Sequence, residues 1–201
     1  MRFVVPALLA LIPLSLAPAA RATEWTLDAE HTEIGFSVRH MMVSDVRGAF
    51  DKYSGTLNVD DKDLTKSSVS VDIDVASINT KVAKRDGHLK SPEFFDAAKF
   101  PKLSFKSTKI EKGAKANTFK VTGDLTMRGV TKPVVLDVEL SDEWADPKEW
   151  GGRIHRGIKA TGKINRLDYG LSWQKTLDKG GVVVGDEVTL LISAEVIKKA
   201  G

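Results

Sequence analysis

Four histidines carry the side chains best suited to binding a metal ion or moving a proton near neutral pH. They are His31, His40, His88 and His155. No H-x-H or H-E-x-x-H unit occurs among them, so a metal site would have to be assembled by the fold alone, and we predict none. The G-x-S-x-G turn of serine hydrolases is also absent from the sequence. We therefore predict no catalytic residues and a protein that is not an enzyme.

The densest polar cluster is the run Arg85-Asp86-Gly87-His88-Leu89. In one interpretation Arg85 and Asp86 pair with each other and His88 bonds a backbone carbonyl, so that the cluster only fastens a helix to the rest of the fold. In the other interpretation Arg85 or His88 donates a hydrogen bond to the polar head of a bound lipid. Both interpretations keep the interior of the protein apolar.

The first 22 residues have the form of a cleaved signal peptide. Arg2 precedes an apolar stretch from Phe3 to Leu16, and Ala20-Arg21-Ala22 has the small-x-small form of a cleavage site. The stretch contains two prolines and is shorter than the roughly 20 apolar residues that a transmembrane helix needs. We expect residues 1–22 to be removed on export, leaving one domain at residues 23–201 with no stable membrane insertion.

Charge and composition exclude several classes of protein. Removing residues 1–22 takes away two of the 30 Lys and Arg residues and none of the 27 Asp and Glu residues, which leaves a net charge of +1. A near-neutral chain without a basic, aromatic-rich stretch is not expected to bind nucleic acid. Because the chain contains no cysteine, disulfides, thiolate nucleophiles and zinc-cysteine sites are excluded.

Apolar residues alternate with polar ones through most of the chain, which is the period of a half-buried β-strand. Short links such as Arg128–Pro133 and Gly185-Asp186 predict antiparallel hairpins. The pattern is compatible with a sandwich or a barrel; a barrel of about eight strands removes exposed edges and leaves room for one small ligand. Gly123, Ala160 and Gly162 would widen the interior, although a glycine in a strand more often marks a bend or a bulge. The clearest alternating runs are Ile34–Val38, Val69–Val75, Phe119–Met127, Val134–Leu140, Ile158–Ile164 and Val188–Val196.

Two regions depart from this alternation. Thr80–Lys90 is predicted to be helical, and Ser91-Pro92-Glu93 resembles a second helix start just before Phe94 and Phe95. Such an insert would either lie across an open end of the barrel or pack on its outer wall. The polar segment from Ser141 to Arg153 is predicted to be a surface loop, whose two tryptophans are most simply explained as partly buried anchors.

Four motifs together resemble the YceI-like family, in the right order and over nearly all of the chain after residue 22. The first is Trp25-x-Leu27-Asp28-x-x-His31-Thr32 with Ile34-x-Phe36-Ser37-Val38-Arg39-His40. The second is Arg85-Asp86-x-His88-Leu89-x-Ser91-x-x-Phe94-Phe95-Asp96. The third is Gly123-x-Leu125-Thr126-x-Arg128-Gly129-Val130-Thr131-x-Pro133-Val134, and the fourth is Ile164-Asn165-Arg166-x-Asp168-Tyr169-Gly170.

This resemblance implies an all-β protein: an extended, antiparallel, lipocalin-like β-barrel of about eight strands with a short helical insert. It implies a periplasmic protein that stores or transports a polyisoprenoid or isoprenoid quinone, with no further cofactor, and it is compatible with a homodimer. Some relatives hold fatty-acid derivatives, so a fatty acyl ligand stays open. Two alternatives are an enzyme acting on a lipid in the same cavity and a stress-related structural domain with a filled core. The ligand-binding residues implied are Phe36, Val38, His40, Val71, Ile73, Arg85, His88, Phe94, Phe95, Phe105, Phe119, Leu125, Leu136, Ile164 and Arg166.

Overall fold

The computed structural model describes residues 22–198, which form eleven β-strands and one short α-helix. The helix, α1, spans Ala83–Lys90. The strands are β1 (Thr23–Leu27), β2 (Glu33–His40), β3 (Ser44–Phe50), β4 (Tyr53–Val59), β5 (Ser68–Asp74), β6 (Ile78–Asn79), β7 (Lys102–Lys112), β8 (Thr118–Met127), β9 (Val130–Ala145), β10 (Ile154–Asn165) and β11 (Val184–Lys198).

The eleven strands form one antiparallel sheet that closes into an eight-stranded barrel. Three positions of the barrel are each divided into two consecutive strands, β1 with β2, β3 with β4, and β5 with β6. The ring closes because β11 pairs with β10 along one edge, and with β2 and then β1 along the other. The predicted all-β barrel of about eight strands with one short helix is therefore confirmed.

Strand β8 illustrates how the sequence produces the wall of the barrel. Its residues alternate between buried and more exposed positions along the whole strand. Phe119, Val121 and Leu125 point inward, whereas Lys120 and Asp124 lie on the outer face in solvent. Because side chains repeat every two residues in a strand, a slip of one residue would expose this entire apolar set. The alternation thus determines the register of the strand as well as its conformation.

Gly123 and Gly162 accommodate neighbouring side chains and do not widen the interior, whereas Ala160 lines the cavity. A Cβ atom on Gly123 would lie 2.3 Å from Cζ of Phe105, and one on Gly162 would lie 2.7 Å from Cδ2 of Leu136. These contacts are too close for any side chain larger than hydrogen. The space next to both glycines is filled by a large apolar side chain from an adjacent strand.

Three local predictions were wrong. Ser91-Pro92-Glu93 does not begin a second helix, since the Ser91 hydroxyl donates to His88 O and terminates α1. Gly185-Asp186 is not a turn between strands but a bulge within β11. The segment from Ser141 to Arg153 is strand as far as Ala145, and the side chains of Trp144 and Trp150 are largely exposed, so they are not buried anchors.

The predicted signal peptide lies outside the described residues, apart from Ala22. Within residues 22–198, no helix combines the length and the apolar character that a bilayer-crossing helix requires.

Candidate functional site

An apolar cavity of about 300 Å³ lies inside the barrel. All eight positions of the ring contribute side chains to its lining, because each strand directs every second residue inward. Its volume is at the lower end of the roughly 300–1,000 Å³ that small-molecule sites occupy. The shape and chemistry of this space suit a slender apolar ligand.

Most of the residues that the sequence assigned to ligand binding line this cavity. They come from separate strands and from the helical insert, and the fold alone brings them together. The three exceptions are His40, Arg85 and His88, which lie outside the lining. The residues on the cavity wall are Phe36, Val38, Val71, Ile73, Phe94, Phe95, Phe105, Phe119, Leu125, Leu136, Ile164 and Arg166.

The helical insert covers one end of the barrel. Leu89 at the end of α1, together with Phe94 and Phe95, lines the cavity and packs into the main core cluster. Phe95 contacts Phe50 of β3 edge to face, with ring centroids 6.0 Å apart. The insert thus lies across the end of the barrel and not on its outer wall. We call this the covered end.

The polar cluster of the insert makes its contacts within the protein. Asp86 accepts hydrogen bonds from both the amide and the hydroxyl of Thr80, which is buried. Arg85 donates to the hydroxyl and carbonyl oxygens of the same threonine at 2.7 Å, and His88 Nε2 lies 2.5 Å from Glu93 Oε2. The bonds to Thr80 hold the segment before α1 in place, so the cluster fastens the helix as in our first interpretation. The partners differ from those we expected, since Arg85 and Asp86 bond Thr80 and not each other, and His88 contacts a carboxylate and not a backbone carbonyl. A head-group contact for His40, Arg85 or His88 stays a prediction.

Arg166 is a buried cation at the covered end, and all three of its side-chain nitrogens donate hydrogen bonds within the protein. Only 3% of the residue is exposed. Burial lowers the pKa of its guanidinium, and the nearby Asp186 carboxylate opposes that shift. Its guanidinium joins the turn after β10 to the start of β11. The acceptors are the backbone oxygens of Leu171, Trp173, Val184 and Gly185 and the carboxylate of Asp186.

The opposite end carries a second cationic group that our sequence reasoning missed. Arg156 lines the cavity, and Lys198 lies with its Nζ 4.4 Å from the ring centroid of Trp25. Both cations face the single carboxylate of Glu143, at 3.5 and 3.3 Å. The sequence did contain an indication of Arg156. Every second residue of β10 faces inward, and Arg156 stands two residues before the inward-facing Ile158.

A separate polar cluster lies outside the cavity lining, where the 3₁₀ turn Ala29–His31 faces β11. Asp28, His31 and Glu195 place one potential ligand atom each within 4.8 Å of one another. His31 Nδ1 lies 3.0 Å from Asp28 Oδ2, and His155 Nδ1 lies 2.5 Å from Glu195 Oε1. The hydrogen bond with Asp28 raises the pKa of His31, and the same bond lowers the pKa of Asp28. The Asp28–His31 pair lies within the turn, and the His155–Glu195 contact joins β10 to β11. The amide of Asp28 donates to Glu195 O and fastens the turn to the barrel, so we interpret the cluster as structural.

Comparison with known proteins gives consistent matches over almost the whole described chain. The model of the YceI-like domain matches residues 25–196. The UPF0312 protein SA2479 of Staphylococcus aureus strain N315 is 36% identical over 173 residues, which cover 86% of this chain and 96% of that protein.

Solved structures share the same barrel. The YCEI protein of Campylobacter jejuni is 34% identical and aligns with a TM-score of 0.68, covering 87% of this chain and 98% of that one. A polyisoprenoid-binding domain from Saccharophagus degradans is 18% identical, with a TM-score of 0.59 and coverage of 86% and 97%. At that identity the second likeness concerns the fold alone.

Proposed function

The chain belongs to the YceI-like family, and on this basis we propose that its barrel binds and shields a long apolar lipid, a polyisoprenoid or quinone-type tail, for storage or transport in the periplasm. The observation that carries the proposal is the cavity, whose wall is apolar from Trp25 near one end to Phe94 and Phe95 at the other. A polyisoprenoid-binding domain among the solved structures with this fold supports the same ligand class.

The physical basis of binding is the transfer of an apolar chain out of water. Each buried methylene contributes roughly 0.8 kcal/mol, so a chain of several such groups binds with little need for polar recognition. The polar side chains in the lining lie near the ends or edges of the cavity, for example Ser67 and Ser68 at the start of β5. The proposal includes no catalytic step, because binding and release explain the geometry.

The direct test is to identify what the protein carries. Protein purified without detergent is extracted with organic solvent, and the extract is analysed by mass spectrometry. We expect an isoprenoid lipid or isoprenoid quinone, and its mass distinguishes the two. Failure to recover any lipid, combined with failure to take up added polyprenol or quinone, would show that the proposal is wrong.

Two substitutions on neighbouring residues connect uptake to the cavity. Phe105→Asp places a charge on the cavity wall, whereas Lys106→Asp places the same charge on the outer face of the same strand. We expect the first variant to lose lipid uptake and the second to retain it, because an unpaired charge is strongly disfavoured in an apolar interior.

A third variant covers the case in which Phe105→Asp does not fold. Val138→Trp keeps the cavity wall apolar and fills part of the space with a larger ring. Circular dichroism verifies the fold of each variant. A folded Val138→Trp protein with unchanged lipid uptake would contradict binding in this cavity.

A further inference from the structure

We propose that Trp25, Arg156 and Lys198 form a binding site for an anionic oxygen head group, a carboxylate or phosphate, at the end of the cavity opposite the covered end. We call these three residues the head site. The inference rests on the proposed function and deepens it, because it gives the bound lipid a chemical class and a direction.

The register of three adjacent strands places the head site on the inner face of the wall. In β10, Arg156, Ile158 and Ala160 all line the cavity. In β11, Lys198 follows Ala194 and Val196 at spacings of two residues, which directs it to the same face. Arg156 is the register partner of Val196, and β1 with Trp25 pairs with the same end of β11.

The charges at the head site do not balance. The side chains of Arg156 and Lys198 are 15% and 14% exposed, and both contact the same carboxylate, that of Glu143. Within residues 22–198, neither cation forms an ion pair with a second acid. Two mostly buried cations and one carboxylate leave a net charge of +1 beside an apolar cavity, and an anion there would neutralise it.

Trp25 supplies an independent observation. The residue is 1% exposed and lines the cavity. Its indole Nε1 is buried, yet no acceptor among the described residues lies within hydrogen-bonding reach. A buried donor without a partner is uncommon and costs about 1–3 kcal/mol. An oxygen of the head group would satisfy this donor.

Arg166 at the covered end does not offer the same chemistry. Its nitrogens already donate to backbone carbonyls and to Asp186, so an anion there would have to displace existing acceptors. By contrast, Arg156 makes one hydrogen bond, from Nε to Ser141 O, besides its ion pair with Glu143. The head group therefore lies at the head site, and the tail extends toward Phe94 and Phe95.

The test compares two ligands with the same tail, palmitic acid and 1-hexadecanol, by displacement of a fluorescent lipid from the full protein. We expect the acid to bind at least about tenfold more tightly than the alcohol, because bonds to a charged group are stronger than neutral ones. In Arg156→Met this preference should fall to about twofold or less. Lys159→Met, which removes a cation from the outer face of the same strand, should leave the preference unchanged.

A second measurement reports on Trp25 directly. In a ¹⁵N spectrum, the indole N–H resonance of Trp25, assigned with a Trp25→Phe variant, should move on addition of the acid and move less with the alcohol. Equal affinity for both ligands, or an Arg156→Met variant that weakens both equally, would overturn the head site while leaving the proposed function intact. Binding of neither ligand would also overturn the head site, whereas the proposed function is overturned separately, by failure to take up added polyprenol or quinone.

Discussion

The two ends of the barrel each contain an arginine that lines the cavity, and the two arginines are bonded in opposite ways. Arg166 at the covered end donates from every side-chain nitrogen to groups of the protein. Arg156 at the other end shares one carboxylate with Lys198 and makes a single hydrogen bond to a backbone carbonyl. The two residues are of the same type and both are mostly buried, so the number of acceptors within the protein distinguishes them. An arginine whose nitrogens all have acceptors holds the fold together, whereas one with few acceptors can still donate to a ligand.

The largest effect is expected from removing the fully bonded cation. Arg166→Met removes the guanidinium donor from the buried Leu171 O and from the partly buried Trp173 O and Gly185 O, and it also removes the ion pair with Asp186. We therefore expect the free energy of unfolding to fall by about 3–5 kcal/mol. Urea denaturation monitored by circular dichroism measures the change. A loss below about 1 kcal/mol would show that Arg166 does not brace the covered end.

The same substitution at the other end should have a much smaller effect on stability. Arg156→Met removes one hydrogen bond and a partly exposed ion pair, which together contribute about 1 kcal/mol or less. The comparison between the two ends fails if Arg156→Met and Arg166→Met destabilise the protein equally in the same urea titration.

A substitution in α1 tests whether this helix only supports the fold or also moves when a ligand enters. A Cβ atom on Gly87 would meet nothing within 4 Å, so Gly87→Ala should raise stability by about 0.5–1 kcal/mol through the higher helix propensity of alanine. Thermal unfolding measures the gain, and lipid affinity should not change. A change in the rate or extent of lipid uptake would instead indicate that α1 moves during ligand entry.

The smallest effect concerns the outer cluster at Asp28 and His31. The pKa of His31 is raised in the folded state, so its contribution to stability is complete below the unfolded pKa near 6.5 and declines as pH rises through the folded value. The melting temperature of the native protein should therefore exceed that of His31→Gln by more at pH 6 than at pH 9. A difference that is constant with pH would rule out this ion pair.

The barrel was predictable because it depends on alternation, which repeats in every strand and is unaffected by single residues. Most of the cavity wall was predictable for the same reason, as the inward phase of β2, β8 and β10 shows. The two ends were less predictable. Whether Arg85 and His88 contact a ligand or the protein depends on the position of Thr80 and Glu93, which no periodicity specifies.

Arg156 and Lys198 were missed for a related reason. A charged residue at the inward phase of a strand is usually taken to mark the point where the strand leaves the core. In β11, Lys198 follows the last inward apolar residue, and its Nζ lies over the ring of Trp25 in the adjacent strand β1. In β10, Arg156 lies between Ile154 and Ile158, which both pack against the cluster that contains Trp25. Tracing the phase of β10 and β11 to their ends would have identified both cations, but not the carboxylate that they share.

The closure of the ring between β1 and β11 has a consequence for how the protein folds. The contact between Thr26 and Ile197 joins positions 171 residues apart, nearly the full length of the described chain. All-β proteins dominated by such distant pairings generally fold in milliseconds to seconds, far more slowly than helical bundles. During synthesis the barrel cannot close until β11 has left the ribosome, so the nascent chain exposes unpaired strand edges until that strand emerges.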